Sequence, residues 1–226
     1  MSDTNFAVYL IDDDERVLKA LSRLLHTAGY EAQSFASPAD FLRVHDPAAP
    51  GCAIVDVEMP GLDGLALQQM LVGDTVQRPI IFLSGKSDIP ISVRAMRAGA
   101  VEFLVKPVDK AALLRAVELA VTRDQATRAA RRTRDATIAR FCLLTPREFE
   151  VLTHVIAGRL NKQIAADLGT VEKTIKVHRG RVMEKVGVRT VAALVRLTES
   201  IGITPYRVNV FQSRHKRPNN VEPSLS

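Results

Sequence analysis

Five short strand-like runs, each followed by a helical pattern, constrain this chain more than any other feature. "FAVYLI" (6–11), "EAQSF" (31–35), "CAIVDV" (52–57), "PIIFLS" (79–84) and "VEFLV" (101–105) are the runs, the second being the weakest. After the first, "ERVLKALSRLLHTAGY" places Val17, Leu18, Leu21, Leu24 and Leu25 on one helical stripe and stops at Gly29. Pro38 opens a short helix. A third helix starts near Leu65, and a fourth runs to about Ala98 with Gly99 as its stop. Strands joined by helical crossovers lie parallel, so the expected fold is α/β: a five-stranded parallel, doubly wound sheet with helices on both faces.

Beyond the sheet, a helical pattern runs from Asp109 past Leu113, Leu114, Val117 and Val121 into "RDQATRAARRTRDATIAR". That segment is rich in Arg and Ala and lacks Gly and Pro, so residues 123–142 read as a helical linker. The remainder predicts an all-α unit of four helices. In "LTPRE", Thr145 is the N-cap, Pro146 the first helical residue, and Glu148 completes a capping box. Asn161 is expected to cap a second helix, ended by Gly169. A third runs from about Val171 to Val186 and stops at Gly187; Thr190 caps a fourth, stopped by Gly202. Residues 204–226 are basic with few apolar side chains, and a loosely ordered tail is expected.

Charge separates the two halves. Residues 1–122 carry a net −5 and residues 123–226 a net +11. An acidic front and a basic back suggest two domains with different partners, the basic one suited to nucleic acid. With no apolar run of transmembrane length and no leader-like start, a soluble, cytoplasmic protein without a membrane partner is expected. Cys52 and Cys142 are too few for a disulfide framework, and no Cys/His group has zinc-ligand spacing.

The acidic run "IDDDE" follows the first strand directly. Carboxylates about 4 Å apart repel by about 4 kcal/mol at an effective dielectric near 20, so crowding them calls for a reason. In open parallel sheets ligands bind beyond the carboxyl ends of the strands. Asp12 and Asp13 follow the first strand, Asp56 lies at the end of the third, Ser84 ends the fourth and Lys106 follows the fifth. A hard cation such as Mg²⁺ (or Mn²⁺) among the acids would relieve the repulsion and bridge to a phosphate. Lys106 and Ser84 would add a cation and a hydroxyl donor, and an Asp could be the acceptor nucleophile. Asp14 and Glu15 are better explained as anions at a helix N-terminus.

"IDDD", "VDVEMPGLDG", "FLSG" and "VEFLVKP" stand in the order and at the positions of the motifs of two-component response regulators, and residues 1–122 resemble their receiver domain. The resemblance implies phosphorylation of Asp56 by a sensor histidine kinase. It implies Asp13, Asp56 and the Glu58 backbone carbonyl as metal ligands, with Asp12 acting mostly through water. It further implies Ser84 and Lys106 on the phosphoryl oxygens, Phe103 with Ser84 as the switch pair, and a cis Lys106–Pro107 bond. Glu58 and Lys86 carry opposite charges near Asp56, and a pairing over the site is expected to lengthen the phosphoryl lifetime.

At about 100° per residue the third back-half helix places Val171, Ile175, Val182 and Val186 on a core side. Lys173, Lys176, Val177, Gly180 and Arg181 face outward, with Arg179 nearer the packed edge. A cationic helix after a short helix and a Gly turn is a helix-turn-helix arrangement. Lys176 and Val177 suit base edges; Lys173 and Arg181 suit phosphates. Residues 143–201 resemble the LuxR-type helix-turn-helix of NarL/FixJ regulators. Where that family usually has a Ser cap stands Val171, so Thr170 is expected to cap instead. Gly180 occupies a position that the family often uses for a base contact.

The combined expectation is a response-regulator transcription factor, not an enzyme beyond slow self-dephosphorylation. Its domains are a receiver (1–122), a linker (123–142), a helix-turn-helix unit (143–203) and a tail (204–226). Expected partners are the cognate kinase, double-stranded promoter DNA and, when phosphorylated, a second copy of the chain; RNA polymerase is a further candidate. Two rivals follow from the same residues: a phosphorylation-independent DNA-binding regulator, and an Asp-nucleophile phosphohydrolase.

Overall fold

The computed structural model describes residues 6–71, 77–85 and 89–206. The chain divides into two compact units, Met1–Arg131 and Arg132–Ser226.

The first unit alternates strand and helix: β1 (Ala7–Ile11), α1 (Glu15–Thr27), β2 (Glu31–Phe35), α2 (Pro38–Val44), β3 (Gly51–Asp56), α3 (Gly64–Leu71), β4 (Ile80–Ser84), α4 (Ile89–Arg97), β5 (Glu102–Val105) and the start of α5 (Lys110–Cys142). All strand pairings are parallel, in the order β2-β1-β3-β4-β5. Successive side chains of a strand point to opposite faces, and two cores follow from that period. Tyr9, Ile11, Ala53, Val55 and Phe82 pack with Phe41 of α2, Leu67 of α3 and Ala95 of α4. Val8, Leu10, Cys52, Ile54, Ile81 and Leu83 pack with Leu21 and Leu25 of α1 and Leu113, Val117 and Ala120 of α5. The three inner strands are buried throughout, whereas the edge strands β2 and β5 keep exposed positions.

Two glycines permit close approach at the ends of β3. A side chain at Gly51 would collide with the Ala7 carbonyl and Arg78 Nη1. One at Gly64, the first residue of α3, would collide with the Asp56 carbonyl. Asp14 caps α1, its carboxylate accepting from Arg16 N at 2.8 Å, as expected of an acid that serves the helix. The Lys106–Pro107 bond is cis. Cys52 is buried and Cys142, the last residue of α5, is exposed. No helix among the described residues is long and apolar enough to cross a membrane.

The second unit holds the end of α5, then α6 (Pro146–Ile156), α7 (Asn161–Asp167), α8 (Glu172–Val186) and α9 (Val191–Ile201). Phe141, Val151, Leu152, Ile164, Ile175, Val182, Val186 and Leu194 form its core. The capping box at the start of α6 is present: Glu148 N donates to Thr145 Oγ1, and Thr145 N to Glu148 Oε2. Glu148 is also bound by Lys185 Nζ at 2.6 Å, and Lys185 donates to the Leu143 carbonyl as well. These bonds tie the start of α6 to the last turn of α8. Thr190 caps α9 as expected, and Gly187 and Gly202 end α8 and α9 in the left-handed region.

Three expectations for this unit are corrected. Asn161 does not cap α7; it is the first helical residue, Leu160 takes the cap position, and Gln163 Oε1 accepts from Leu160 N at 2.9 Å. The Asn161 side chain instead accepts a bond from Arg179 Nη1 at 3.1 Å. Thr170 does not cap α8 either: Val171 holds the cap position, with no side-chain cap bond. Val171 is not in the core but 64% exposed. As a cap its backbone is extended, so the helical angle that groups Ile175, Val182 and Val186 does not apply to it.

Candidate functional site

The strand ends bring Asp12, Asp13, Asp56, Ser84 and Lys106 to the carboxyl edge of the sheet. Asp12, Asp56 and Ser84 are buried, at 2%, 5% and 2% exposure, because each lies at or just past the end of an inner strand. Asp13 is exposed. Lys106 Nζ lies 2.6 Å from Asp12 Oδ2 and 3.2 Å from Asp56 Oδ2. Asp12 Oδ1 accepts from Asp14 N at 2.9 Å, which fixes that carboxylate from its other side.

Burial raises the Asp56 carboxyl above its ordinary value; Lys106 offsets part of this, and the Asp12 charge adds to it. Burial works to lower Lys106, but its bonds to Asp12 and the Asp56 charge outweigh it, and the ammonium is held more firmly than usual. Carboxylate oxygens of Asp12, Asp13 and Asp56 lie within 4.8 Å of one another. Asp56 Oδ1 is buried and has no hydrogen-bond partner among the described residues. An all-oxygen donor set with an orphaned carboxylate oxygen fits a hard divalent cation. The chemistry such a set supports is phosphoryl transfer to a carboxylate, with positive charge and donors around the transferred group.

Glu58 is exposed just beyond the site. Lys86, its expected partner, lies outside the described residues, as does the tail from residue 207. Phe103 is half-buried on β5, packed against the core that holds Phe82, with ring centroids 6.4 Å apart. On the outer face of that region Ile89, Val93, Met96 and Val105 are 70%, 42%, 44% and 44% exposed.

In the second unit, α7 and α8 are joined by a turn containing Gly169 at φ +62°. Along α8, Lys173, Lys176, Val177, Gly180 and Arg181 are exposed, while Ile175 and Val182 face the core. Arg179 is half-buried and held by Asn161. That bond braces α8 on α7; its partners are 18 residues apart, and no local pattern marks them.

A parallel five-stranded sheet with an acidic, lysine-bearing rim, followed by a helix-turn-helix unit, defines the class of two-domain transcription regulators. Residues 8–118 match the response regulator receiver domain family, and residues 143–198 match the bacterial regulatory proteins of the luxR family. Nodulation protein W of Bradyrhizobium diazoefficiens is 40% identical over 203 residues, covering 90% of this chain and 89% of that protein. Response regulator protein TodT of Pseudomonas putida is 40% identical over 201 residues, covering 89% and 88%. Among solved structures, the response regulator StyR is similar with a TM-score of 0.75 and 43% identity, covering 86% of this chain and 98% of that one. Full-length FixJ from B. japonicum matches with a TM-score of 0.54 and 34% identity, covering 88% and 98%. The chain belongs to the NarL/FixJ-type response regulators, transcription factors with a receiver domain and a LuxR-type DNA-binding domain.

Proposed function

We propose that Asp56 is the phosphoacceptor of a two-component system and that its state controls DNA binding by the second unit. The supporting observation is the buried Asp56 Oδ1, without a hydrogen-bond partner among the described residues, beside Lys106 and two further acids. An Asp56 carboxylate oxygen attacks the phosphorus of a phosphohistidine on the sensor kinase; the P–O bond forms as the P–N bond breaks. Asp13, Asp56 and the Glu58 carbonyl would hold Mg²⁺ or Mn²⁺, with Asp12 in support, and the ion would neutralise charge on the transferred group. Lys106 moves part of its ion pairing from Asp56 to a phosphoryl oxygen, and Ser84 donates to another. Ser84 and Phe103 then shift inward.

The shift reshapes the face of α4, β5 and α5, where Ile89, Val93, Met96 and Val105 are exposed. Two phosphorylated chains pair there and present two recognition helices to adjacent half-sites of promoter DNA, in the cytoplasm and within reach of RNA polymerase. Lys176 and Val177 read base edges, Gly180 permits close approach, and Lys173, Arg179 and Arg181 hold phosphates. Residues 1–122 serve as receiver, 123–142 as linker and 143–203 as DNA-binding unit. Self-dephosphorylation is slow, and no small-molecule turnover is performed.

The test is incubation with acetyl phosphate and Mg²⁺, followed by peptide mass spectrometry and DNA capture from a random-sequence pool. A phosphoryl group on Asp56 with enriched, sequence-selective capture is expected. Equal capture by Asp56→Ala and by phosphorylated wild type would overturn the reading in favour of a phosphorylation-independent regulator.

A further inference from the structure

The amino ends of the same strands hold a second cluster of buried charge that the phosphoryl chemistry does not use. Arg78, just before β4, is only 2% exposed. Its guanidinium carbon lies 4.6 Å from the Tyr9 ring centroid, its Nε donates to His45 Nδ1 at 3.3 Å, and its Nη2 donates to the Asp46 carbonyl at 2.7 Å. Arg128, on α5, reaches the same loop: Nη1 donates to the Ala48 carbonyl at 2.5 Å, and Nη2 to those of Pro47 and Ala49 at 3.2 and 2.6 Å. Arg128 Nε donates to Asp124 Oδ2 at 2.7 Å, and the Asp124 side chain is 0% exposed. A solvated spacer helix does not bury an aspartate, and one guanidinium on three backbone carbonyls is a geometry only a fixed, planar fork supplies.

Apart from His45 at the end of α2, the segments that reach this cluster lead toward phosphoryl-site residues. The 46–49 loop leads into β3 and Asp56; Arg78 leads into β4 and Ser84; Tyr9 lies on β1, ahead of Asp12; and α5 follows Lys106. Removing one partner of a buried pair leaves a charge uncompensated, so Arg128 and Asp124 are held in one arrangement. Past Arg128, α5 continues without a break to Cys142.

We propose that Asp124 and Arg128 are positioning residues: they clamp α5 to the 46–49 loop and thereby pass the state of Asp56 along α5 toward the DNA-binding unit. The proposal rests on the reading above that Asp56 phosphorylation controls DNA binding.

The experiment uses the full chain with Arg128→Ala, and with Arg128→Lys, which keeps the charge but not the fork. Affinity for a DNA fragment selected by the wild type is measured with and without acetyl phosphate and Mg²⁺, alongside Asp56 occupancy by mass spectrometry. The expected result is unchanged occupancy and unchanged unphosphorylated affinity, with the phosphorylation-dependent gain falling toward one. Couplings of this type amount to about 5–150-fold, so the loss is measurable. Arg128→Lys should fall between the two. General destabilisation would instead lower occupancy or basal affinity and leave the ratio intact, which overturns the proposal. A full wild-type gain in both variants overturns it alone; a wild type whose affinity ignores phosphorylation overturns the functional reading and this one together.

Discussion

Lys106 Nζ stands 3.2 Å from Asp56 Oδ2, brought there from the end of a different strand. It stands closer still to Asp12, so one ammonium serves two carboxylates that are nearly out of reach of water. Removing one partner of a buried ion pair costs about 3–5 kcal/mol, and with Lys106 partly solvated the lower figure applies. Lys106→Ala should therefore unfold at lower temperature in metal-free buffer, and added Mg²⁺ should restore more stability to it than to the wild type. Thermal unfolding across a Mg²⁺ titration checks this; equal shifts for both proteins would contradict it.

Gly64 sets how closely α3 approaches the end of β3. A methyl group there overlaps the Asp56 carbonyl, and overpacking of this kind costs about 1–3 kcal/mol. Gly64→Ala should lose that much in urea denaturation. It should also slow phosphorylation by acetyl phosphate, because the Asp56 backbone has to move.

Glu148 gives the second unit a defined acid sensitivity. Its bond from Lys185, with those from Thr145, holds its pKa at about 2, below the ordinary 4.5. A depressed carboxyl favours the folded state when ionised, so its contribution is complete above 4.5 and disappears as pH falls through about 2. Glu148→Gln should be less stable than wild type at neutral pH, and the difference should shrink steadily below pH 4.5. Denaturation curves at several pH values provide the measurement; a difference independent of pH would refute the assignment.

On the proposed function, the exposed face of α8 divides into readers and anchors. Lys176→Ala should lose discrimination at one base position in a binding-site selection. Lys173→Ala should weaken all sequences alike and lower the log–log salt slope by about 0.9. Unchanged preference in Lys176→Ala would remove it from the base-reading set.

Gly180 lies mid-helix, and among the described residues no atom beyond its own helix backbone lies within 4 Å of where an added Cβ would stand. Gly180→Ala should raise helix stability by about 0.5–1 kcal/mol, while affinity for DNA falls because the helix can no longer approach as closely. Melting temperature and affinity moving in opposite directions is the expected signature, and affinity rising along with melting temperature is the contrary one.

Strands and helix stops were legible because their signals are local. Ser84 and Val105 end their strands where the apolar runs end, and Gly187 and Gly202 end α8 and α9 as the glycine stops predict. The convergence of Asp12, Asp56 and Lys106 was legible too, since parallel strands put their carboxyl ends on one rim. The failures have a common cause. Asn161 reads as a cap by residue type, but Arg179 recruits its side chain across the motif. Val171 fits the apolar stripe by angle, but it lies one residue ahead of the helix. Arg128 reads only as part of a helical linker, yet its acceptors are 79–81 residues away in the chain. Contacts at that separation leave no trace in a local pattern.

The two cysteines differ in a way that bears on any assay of pairing between chains. The Cys52 thiol is sealed inside β3, where burial pushes its pKa up to about 12 and disfavours the reactive thiolate. Cys142 is open to reagents at the surface. Air oxidation would therefore join two chains through Cys142 alone, a covalent counterfeit of the partnership proposed above. Reductant dissolves the counterfeit and spares the genuine pair, and alkylating Cys142 places a probe at a single, known position.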